Sequence, residues 1–185
     1  SRSLVGSEMC IRDRGNAVFP GVVREVCEDL GIQWGHVSSG CIYSGKRSDG
    51  RGWLEEDPPN FSFRSPPCSF YSGTKALGEE VLDGAENCFV WRLRIPFNDQ
   101  ANPRNYLQKL LNYERLLEAE NSISHLNEFV EKCLACFRED VEPGIYNMTN
   151  EGCILTSQVT AWMKEEGVSD KQFSYFQDEA DFMSR

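Results

Sequence analysis

The 185-residue chain lacks several features that would each point to a particular class of protein. It has no apolar run near the ~20 residues that a membrane-spanning helix needs, so no membrane partner is expected. It carries 19 Lys and Arg against 29 Asp and Glu, and the resulting net charge of −10 argues against a nucleic-acid partner. It has only two histidines and no paired Cys or His motifs with zinc spacing, so no metal site is predicted.

The chain also lacks the glycine-rich turn that holds a dinucleotide. Its 15 glycines never fall in a G-x-x-G-x-x-G pattern. In such a turn, backbone N–H groups at a helix N-terminus bind the pyrophosphate. Gly15, Gly21 and Gly31 are too far apart and follow no strand, so the sequence contains no cradle of this kind.

Cysteine is plentiful, with eight residues, but the spacing does not suggest disulfides. Cys27 and Cys88 lie in apolar periodic stretches, where cysteine packs as a small hydrophobic residue. We therefore expect reduced thiols and a cytoplasmic location. Cys133 and Cys136 have no second ligand pair nearby and are predicted to lie in the core of a helix.

Both ends of the chain are unusual. Residues 1–14 show neither an amphipathic period nor the apolar core of a signal peptide. They resemble a translated sequencing adapter and are predicted to be a non-native artefact. The other end stops just after an apparent helix start, at Met183–Arg185. We therefore expect an internal fragment of a longer protein.

Between these ends, the hydrophobic pattern predicts helices that alternate with strands. This order is typical of an α/β fold with a mainly parallel sheet. The segment 41–67 is polar, rich in Gly and Pro, and predicted to be a long functional loop. The predicted helices cover residues 16–30, 69–83, 103–117, 126–138 and 156–166, and the predicted strands cover 32–37, 88–95, 144–148 and 173–176.

Tyr71 and Lys75 are the first candidate catalytic residues. They are four residues apart in a predicted helix, so their side chains leave the same face. A free tyrosine has a pKa near ~10, and a nearby ammonium favours the phenolate and lowers that pKa. Chance spacing would also produce such a pair, so its neighbours matter. Ser39 follows a predicted strand, at the sheet edge where open α/β sheets bind ligands.

The order Ser39, then Tyr71-x-x-x-Lys75, then Arg92-x-Arg94-x-Pro96 resembles the extended short-chain dehydrogenase/reductase superfamily. The resemblance covers about Asn16 to Met183. It implies that Tyr71 is the general acid/base and that Lys75 lowers its pKa and holds the nicotinamide ribose of NADP or NAD. It also implies that Ser39 hydrogen-bonds the reacting oxygen, and that Arg94 and Pro96 contact the cofactor.

Two further motifs resemble the epimerase–reductases that complete rhamnose and fucose nucleotides. One is Ser39-Gly40-Cys41-Ile42-Tyr43, and the other is the segment 102–109, which reads NPRNYLQK. In the rhamnose branch of these enzymes, the cysteine and the lysine, here Cys41 and Lys109, exchange protons with the sugar. Epimerisation beside a keto group needs two proton carriers on opposite faces of the ring. The substrate implied is a nucleoside-diphosphate 4-keto-6-deoxy sugar.

The same resemblance implies the fold and the remaining site residues. We expect the C-terminal part of a Rossmann-like, doubly wound parallel sheet, without its first βαβ units, over residues 15–100. Residues 101–185 are expected to form mostly a small α+β substrate lobe with interleaved Rossmann elements. A homodimer through the Tyr71 helix is implied as well. The implied substrate-binding residues are Ser39, Gly40, Cys41, Asn98, Arg104 and Asn105.

Other readings stay open at this point. Cys41 could be a small buried hydrophobic residue, Lys109 and Arg104 solvated, and Asn98 a turn former. A simple NAD(P)-dependent 4-keto reductase or 4-epimerase would need no chemistry at C3 or C5. A non-catalytic family remnant would need neither activity.

Overall fold

The computed structural model describes residues 13–176. Most of the predicted artefact, and the predicted start of a C-terminal helix, lie outside the described residues. The described chain divides into two compact units. The first unit contains residues 13–93 and 132–148, and the second contains residues 94–131 and 149–176.

Five α-helices and nine strands are present among residues 13–176. The helices are α1 (Phe19–Leu30), α2 (Phe70–Val81), α3 (Tyr106–Asn112), α4 (Leu126–Arg138) and α5 (Thr156–Glu165). The strands are β1 (Trp34–Ser39), β2 (Cys88–Leu93), β3 (Pro96–Phe97), β4 (Arg115–Leu116), β5 (Glu120–Asn121), β6 (Ser124–His125), β7 (Ile145–Asn147), β8 (Ile154–Leu155) and β9 (Ser174–Tyr175). A π-helical turn, Arg14–Val18, precedes α1, and a 3₁₀ turn, Gly40–Ile42, follows β1.

The first unit is built on a parallel three-stranded sheet in the order β1–β2–β7. Ser38 is opposite Arg92, and Arg92 is opposite Asn147. The central strand β2 is buried along almost its whole length, as expected for a strand covered on both faces. Phe89 is fully buried and stacks with Trp91, while the edge of the Phe137 ring packs against both.

The second unit contains three pairs of two-residue strands. β3 pairs with β6 and β4 with β9 in parallel, whereas β5 and β8 are antiparallel. Such short strands bury little surface themselves, so the apolar core carries most of the packing. That core consists of Leu110, Leu116, Val159 and Met163.

The structure confirms the expected α/β fold with parallel strands. The helix predicted over 126–138 has those bounds, and the helix predicted over 156–166 ends one residue earlier. The strand predicted over 32–37 is displaced and runs Trp34–Ser39. The five strands β3, β4, β5, β6 and β8 were not predicted.

The helix predicted over 103–117 is wrong in its bounds. Asn105 has extended backbone and caps α3, so the helix begins only at Tyr106. The helix ends at Asn112, and Arg115 and Leu116 pair with β9 instead. Pro96 does not simply end a strand, since it begins β3 after β2 has ended at Leu93.

The long loop predicted over 41–67 is confirmed. It contains the end of the 3₁₀ turn and an isolated bridge between Ser62 and Ser65. In residues 13–176, no helix combines the length and apolarity that crossing a bilayer requires. The same residues contain no cluster of three or more His, Cys, Asp or Glu side chains that could hold a metal ion. Cys133 and Cys136 are free, buried thiols in α4, which agrees with the predicted core position.

Candidate active site

Helix α2 presents Tyr71 and Lys75 from its first two turns. It starts after Ser69, whose Oγ accepts a hydrogen bond from the Ser72 amide at 3.0 Å. This is the side-chain cap that serine supplies at a helix N-terminus. Tyr71 is 42% exposed and Lys75 is half-buried on the same face. The tyrosine is therefore accessible to a ligand, while its lysine neighbour is partly removed from water.

Lys75 is held at the end of β1. Its Nζ donates to the backbone carbonyl of Val37 at 3.0 Å, two residues before Ser39. Burial lowers the pKa of the Lys75 ammonium, and electrostatic interactions with Cys41 and Glu79 oppose this shift. The carbonyl takes one of the three N–H donors of the ammonium. The lysine is thus fixed beside the strand end that carries the candidate serine.

Ser39 and Cys41 belong to one local turn. Ser39 has extended backbone, and its Oγ accepts a hydrogen bond from the Cys41 amide at 3.3 Å, which caps the 3₁₀ turn. Cys41 is a free, half-buried thiol. Lys75 is bonded to the Val37 carbonyl, two residues before Ser39 on the same strand. Ser39, Cys41 and Lys75 therefore share one edge of the sheet.

A half-buried histidine on the same strand was not singled out from the sequence. His36 is on β1, and its Nε2 is buried without a hydrogen-bond partner among the described residues. Burial, followed by the charge of Lys75, lowers the pKa of His36 to about 4. The imidazole is therefore neutral at physiological pH. A lone histidine inside an apolar stretch gave no sequence pattern to mark this position.

Gly78 allows α2 to pack closely on the π-helical turn that precedes α1. A Cβ atom at this position would be 2.2 Å from the Asn16 carbonyl oxygen. The Asn16 Nδ2 also donates to the Thr74 Oγ1 at 3.0 Å. Thr74 and Gly78 are one turn apart, so this face of α2 is fixed directly beside Lys75.

An ion pair that sequence reasoning also missed connects α2 to the sheet. Glu79 accepts hydrogen bonds from Arg92 and from Ser38, and all three side chains are buried. The only sequence indication is that Glu79 follows Lys75 by four residues on the same helix. Its partners are 13 and 41 residues away along the chain, which no local pattern identifies.

Two predicted cofactor residues lie at the start of the second unit. The Arg94 amide donates to Ser124 Oγ at 3.1 Å, and its Nε donates to Asn121 Oδ1 at the same distance. Pro96 pairs with Ser124 in the β3–β6 ladder. Between them Ile95 has φ 42°, a left-handed conformation that is rare for a β-branched residue. Such strain is concentrated at functional sites.

Two predicted substrate residues, Asn98 and Asn105, hold a turn together. Asn105 is 6% exposed, and its Nδ2 donates to the Asn98 carbonyl and to the Gln100 carbonyl, both at 2.8 Å. Its Oδ1 accepts from the Leu107 amide at 3.1 Å. The Asn98 Oδ1 accepts from the Gln100 amide, as asparagine often does in turns. Both side chains are engaged within the loop that precedes α3.

The other two predicted residues of the second unit are Arg104 and Lys109. Arg104 is exposed just before α3, and Lys109 is half-buried in the last turn of that helix. Cys41 is in the first unit and Lys109 in the second. The pairing of these two proton carriers remains a prediction.

Comparison with known proteins places this site in context. No protein-family model matches the chain. The chain is 34% identical over 151 residues to a bifunctional dTDP-4-dehydrorhamnose 3,5-epimerase/dTDP-4-dehydrorhamnose reductase of Arabidopsis thaliana. That match covers 79% of this chain and 48% of the plant protein, so the chain spans about half the length of this relative. The predicted resemblance is confirmed. The homologues of this chain are nucleotide-sugar epimerase/reductases of the rhamnose type.

A second plant relative and two solved structures agree with this similarity. A trifunctional UDP-glucose 4,6-dehydratase/UDP-4-keto-6-deoxy-D-glucose 3,5-epimerase/UDP-4-keto-L-rhamnose-reductase of A. thaliana is 32% identical over 151 residues, which are 79% of this chain and 22% of that protein. The L780 UDP-rhamnose synthase of Acanthamoeba polyphaga mimivirus superposes with a TM-score of 0.81 at 22% identity, covering 91% of this chain and 58% of that one. The dTDP-4-dehydrorhamnose reductase of Bacillus anthracis, solved with NADP, gives 0.67 at 14% identity over 90% and 58%.

These structural neighbours confirm the Rossmann-type fold that the sequence predicted. They include enzymes solved with NADP and with NAD, such as the B. anthracis reductase and a UDP-glucuronic acid 4-epimerase from Bacillus cereus. At identities below 25%, they establish the fold and not the activity of this chain.

Proposed function

We propose that the protein carrying this chain is an NAD(P)-dependent epimerase/reductase of a nucleoside-diphosphate 4-keto-6-deoxy sugar. The observation that carries the proposal is the Lys75 ammonium, fixed by the Val37 carbonyl two residues before Ser39, whose Oγ accepts from the Cys41 amide. This arrangement puts a cation, a thiol and the Ser39 hydroxyl at the edge where α/β sheets bind ligands. The relatives that match this region are named for the same pair of activities.

The residues of this chain fit the nicotinamide end of the cofactor. Lys75 has N–H donors beyond the one that Val37 accepts, and Tyr71 is accessible on the same helix face. We assign Tyr71 and Lys75 to the ribose and Arg94 and Pro96 to neighbouring contacts. Bound NADP or NAD supplies the hydride. Because the chain contains no G-x-x-G-x-x-G turn, we assign only this end of the cofactor to it.

The protonation steps follow from the side chains. Tyr71 donates a proton to the C4 oxygen of the sugar as that carbon is reduced, and the Lys75 charge favours the phenolate that remains. Ser39 donates a hydrogen bond to the same oxygen. Cys41 and Lys109 remove and return protons beside the keto group, from opposite faces of the ring. Gly40, Asn98, Arg104 and Asn105 complete the proposed substrate contacts.

The assembly and location of the whole protein are also proposals. Tyr71, Leu77 and Glu80 of α2 are exposed, which is compatible with a homodimer through this helix. The seven described cysteines are free thiols, which supports a cytoplasmic location.

Replacing the tyrosine tests the proposal. In the complete protein, Tyr71→Phe should reduce turnover, measured as NAD(P)H oxidation with a 4-keto-6-deoxy sugar nucleotide, by about 10²–10⁴-fold. Tyr113→Phe is the matched control, because Tyr113 is an exposed residue of the second unit, and it should leave turnover unchanged. Unchanged turnover in Tyr71→Phe would exclude Tyr71 as the general acid. Absence of turnover in the wild type would favour a non-catalytic remnant.

A simple 4-keto reductase or 4-epimerase is the second candidate. The Asn105 side chain bonds to the Asn98 and Gln100 carbonyls within its own turn, which favours this second candidate. The structure of the turn then explains the motif at residues 102–109 without a role in epimerisation. Under that reading, Cys41→Ala would leave turnover intact with every substrate. Under the epimerase/reductase reading, Cys41→Ala loses turnover only with substrates that still need epimerisation.

A further inference from the structure

The buried ion pair of the first unit has a second arm that reaches the long loop. Arg92 is 2% exposed. Its Nη2 donates to the Glu79 carboxylate at 2.7 Å and its Nε at 3.1 Å, a bidentate contact between strand β2 and helix α2. The same carboxylate accepts from Ser38 Oγ at 2.5 Å, directly before Ser39 on β1. One guanidinium thus joins the strand and the helix that carry Ser39 and Lys75.

The remaining nitrogen of Arg92 holds the loop 41–67. Its Nη1 donates to the Glu55 carbonyl at 3.1 Å, and the guanidinium lies 5.2 Å from the centre of the Tyr43 ring. The Glu55 carboxylate accepts from the Asn147 amide at 2.8 Å, which ties the loop to β7 as well. These contacts attach the loop to the central strand β2 and to its neighbour β7.

Local packing inside the loop makes this attachment rigid. Tyr43 stacks on Trp53 with ring centres 5.4 Å apart, and its hydroxyl donates to the Asp57 carbonyl at 2.6 Å. Burial raises the pKa of Tyr43 to about 12, so the hydroxyl stays a donor. Tyr43, Trp53 and the Asp57 carbonyl thus form a packed base of the loop beside Arg92.

Stability alone does not explain why residue 92 is an arginine. Burial disfavours the charge of Arg92, and the hydrogen bonds and charge of Glu79 outweigh this, so its pKa is raised. Apolar residues of similar volume often replace a buried ion pair at no cost in stability. What apolar residues cannot supply is the fork of donors that contacts a carboxylate and a carbonyl at once. The function specific to arginine here is the link between loop and site.

We propose that Arg92 is a positioning residue that fixes the loop 41–67, and Cys41 at its beginning, relative to Ser39 and Lys75. The catalytic consequence rests on the proposed function, whereas the anchoring of the loop does not. Through Glu79 and Ser38 the guanidinium holds the two catalytic elements, and through Glu55 and Tyr43 it holds the loop.

Limited trypsin digestion of the chain tests the anchoring. The loop offers cleavage sites at Lys46, Arg47 and Arg51. The variant Arg92→Met/Glu79→Leu/Ser38→Ala removes the network while filling its space and leaving no buried side-chain partner unpaired; only the Glu55 carbonyl of the loop loses its donor. It should melt close to the wild type, yet be cut in the loop at least about 10-fold faster, because cleavage follows the open population. An unchanged cleavage rate would overturn the proposal.

The matched control uses the exposed ion pair of the same helix. Arg64 of the loop pairs with Glu80, next to Glu79 on α2, and Glu80→Gln breaks this pair while keeping every cleavage site. Exposed pairs contribute little, so this variant should be cut at the wild-type rate. A rise equal to that of the triple variant would show that any charge change on α2 loosens the loop, and would contradict a specific role for Arg92.

Thiol reactivity separates positioning from a purely structural role. Iodoacetamide labelling of Cys41 is measured by mass spectrometry relative to Cys153, an exposed thiol of the second unit. The triple variant should raise the Cys41 to Cys153 ratio several-fold, because the turn that shields Cys41 loses its anchor. An unchanged ratio would count against positioning. If the ratio rises while the wild type shows no turnover, the anchoring stands and the proposed function fails.

Discussion

The two units hold their candidate functional residues by different means. In the first unit, Lys75 is fixed by a strand carbonyl, and a buried Arg92–Glu79 ion pair joins the helix to the sheet. In the second unit, Asn105 fixes a turn before a two-turn helix, and the strands are two residues long. The comparison teaches that long elements and buried charge fix the proposed hydride site, whereas loop hydrogen bonds fix the proposed substrate residues.

The largest expected effect tests whether the second unit depends on its own small core. Leu110 is 3% exposed in the cluster with Leu116, Val159 and Met163. Leu110→Ala should lower the unfolding free energy by about 2–5 kcal/mol, from lost transfer energy and the cavity left behind. Native-state hydrogen exchange should show the loss at the amides of α3. An equal loss at the amides of β2 would break the comparison, because the two units would then unfold as one.

The next prediction concerns His36 of the first unit and how the free energy of unfolding depends on pH. The pKa of His36 is about 4 in the folded chain against an ordinary value of 6.5, so the unfolded chain binds the proton first as pH falls. Stability should therefore be lost between about pH 6.5 and pH 4, by up to about 3 kcal/mol. His36→Gln should lose correspondingly less over that range in urea unfolding.

The other histidine is the control for this prediction. His125 is 30% exposed in the second unit. If His125→Gln flattens the profile instead of His36→Gln, the His36 imidazole is not the responsible group.

A pair of helical glycines tests the close packing of α2 on the π-helical turn that precedes α1. Gly78→Ala would place a Cβ atom 2.2 Å from the Asn16 carbonyl and should cost about 1–3 kcal/mol, since backbone must move. Gly21→Ala, in α1, meets nothing within 4 Å and should stabilise by about 0.5–1 kcal/mol because alanine favours helix. Thermal unfolding of both variants measures the difference, and equal shifts would refute the contact at Gly78.

The smallest expected effect concerns the turn of the second unit. Asn105→Ala removes the cap of α3 and the amide that bridges Asn98 and Gln100, and should cost about 1–2 kcal/mol. Asn112→Ala, at the exposed end of the same helix, should change stability by less than about 0.5 kcal/mol. Similar losses in the two variants would show that Asn105 does not hold the turn.

Sequence reasoning succeeded where an element is long and periodic. The helix Leu126–Arg138 and the helix that carries Tyr71 and Lys75 follow from their apolar spacing. It failed over 103–117, where Asn105 looked like part of the helix but caps it. Two-residue strands such as β3 have no period to detect, since only a partner elsewhere in the chain defines them.

The same limit applies to the candidate site. The Tyr71–Lys75 pair was predictable because both residues lie on one helix face. The Val37 carbonyl that holds Lys75 is 38 residues away, and the guanidinium that joins the loop to α2 contacts Glu55 across 37 residues. Such partners depend on tertiary packing. Arg92 belongs to a motif that resembles the superfamily, but no local pattern marks its contacts, and none marks Glu79 or His36 as part of the site.

Solvent deuterium incorporation tests the central claim most directly. The complete protein is incubated in deuterated water with a nucleoside-diphosphate 4-keto-6-deoxy sugar, and the product is examined by mass spectrometry and NMR. The account predicts deuterium at C3 and C5 with the wild type and its loss with Cys41→Ala, while Tyr113→Phe behaves as the wild type. Product without deuterium at either carbon would contradict the epimerase assignment of Cys41 and Lys109 and leave a simple reductase or 4-epimerase.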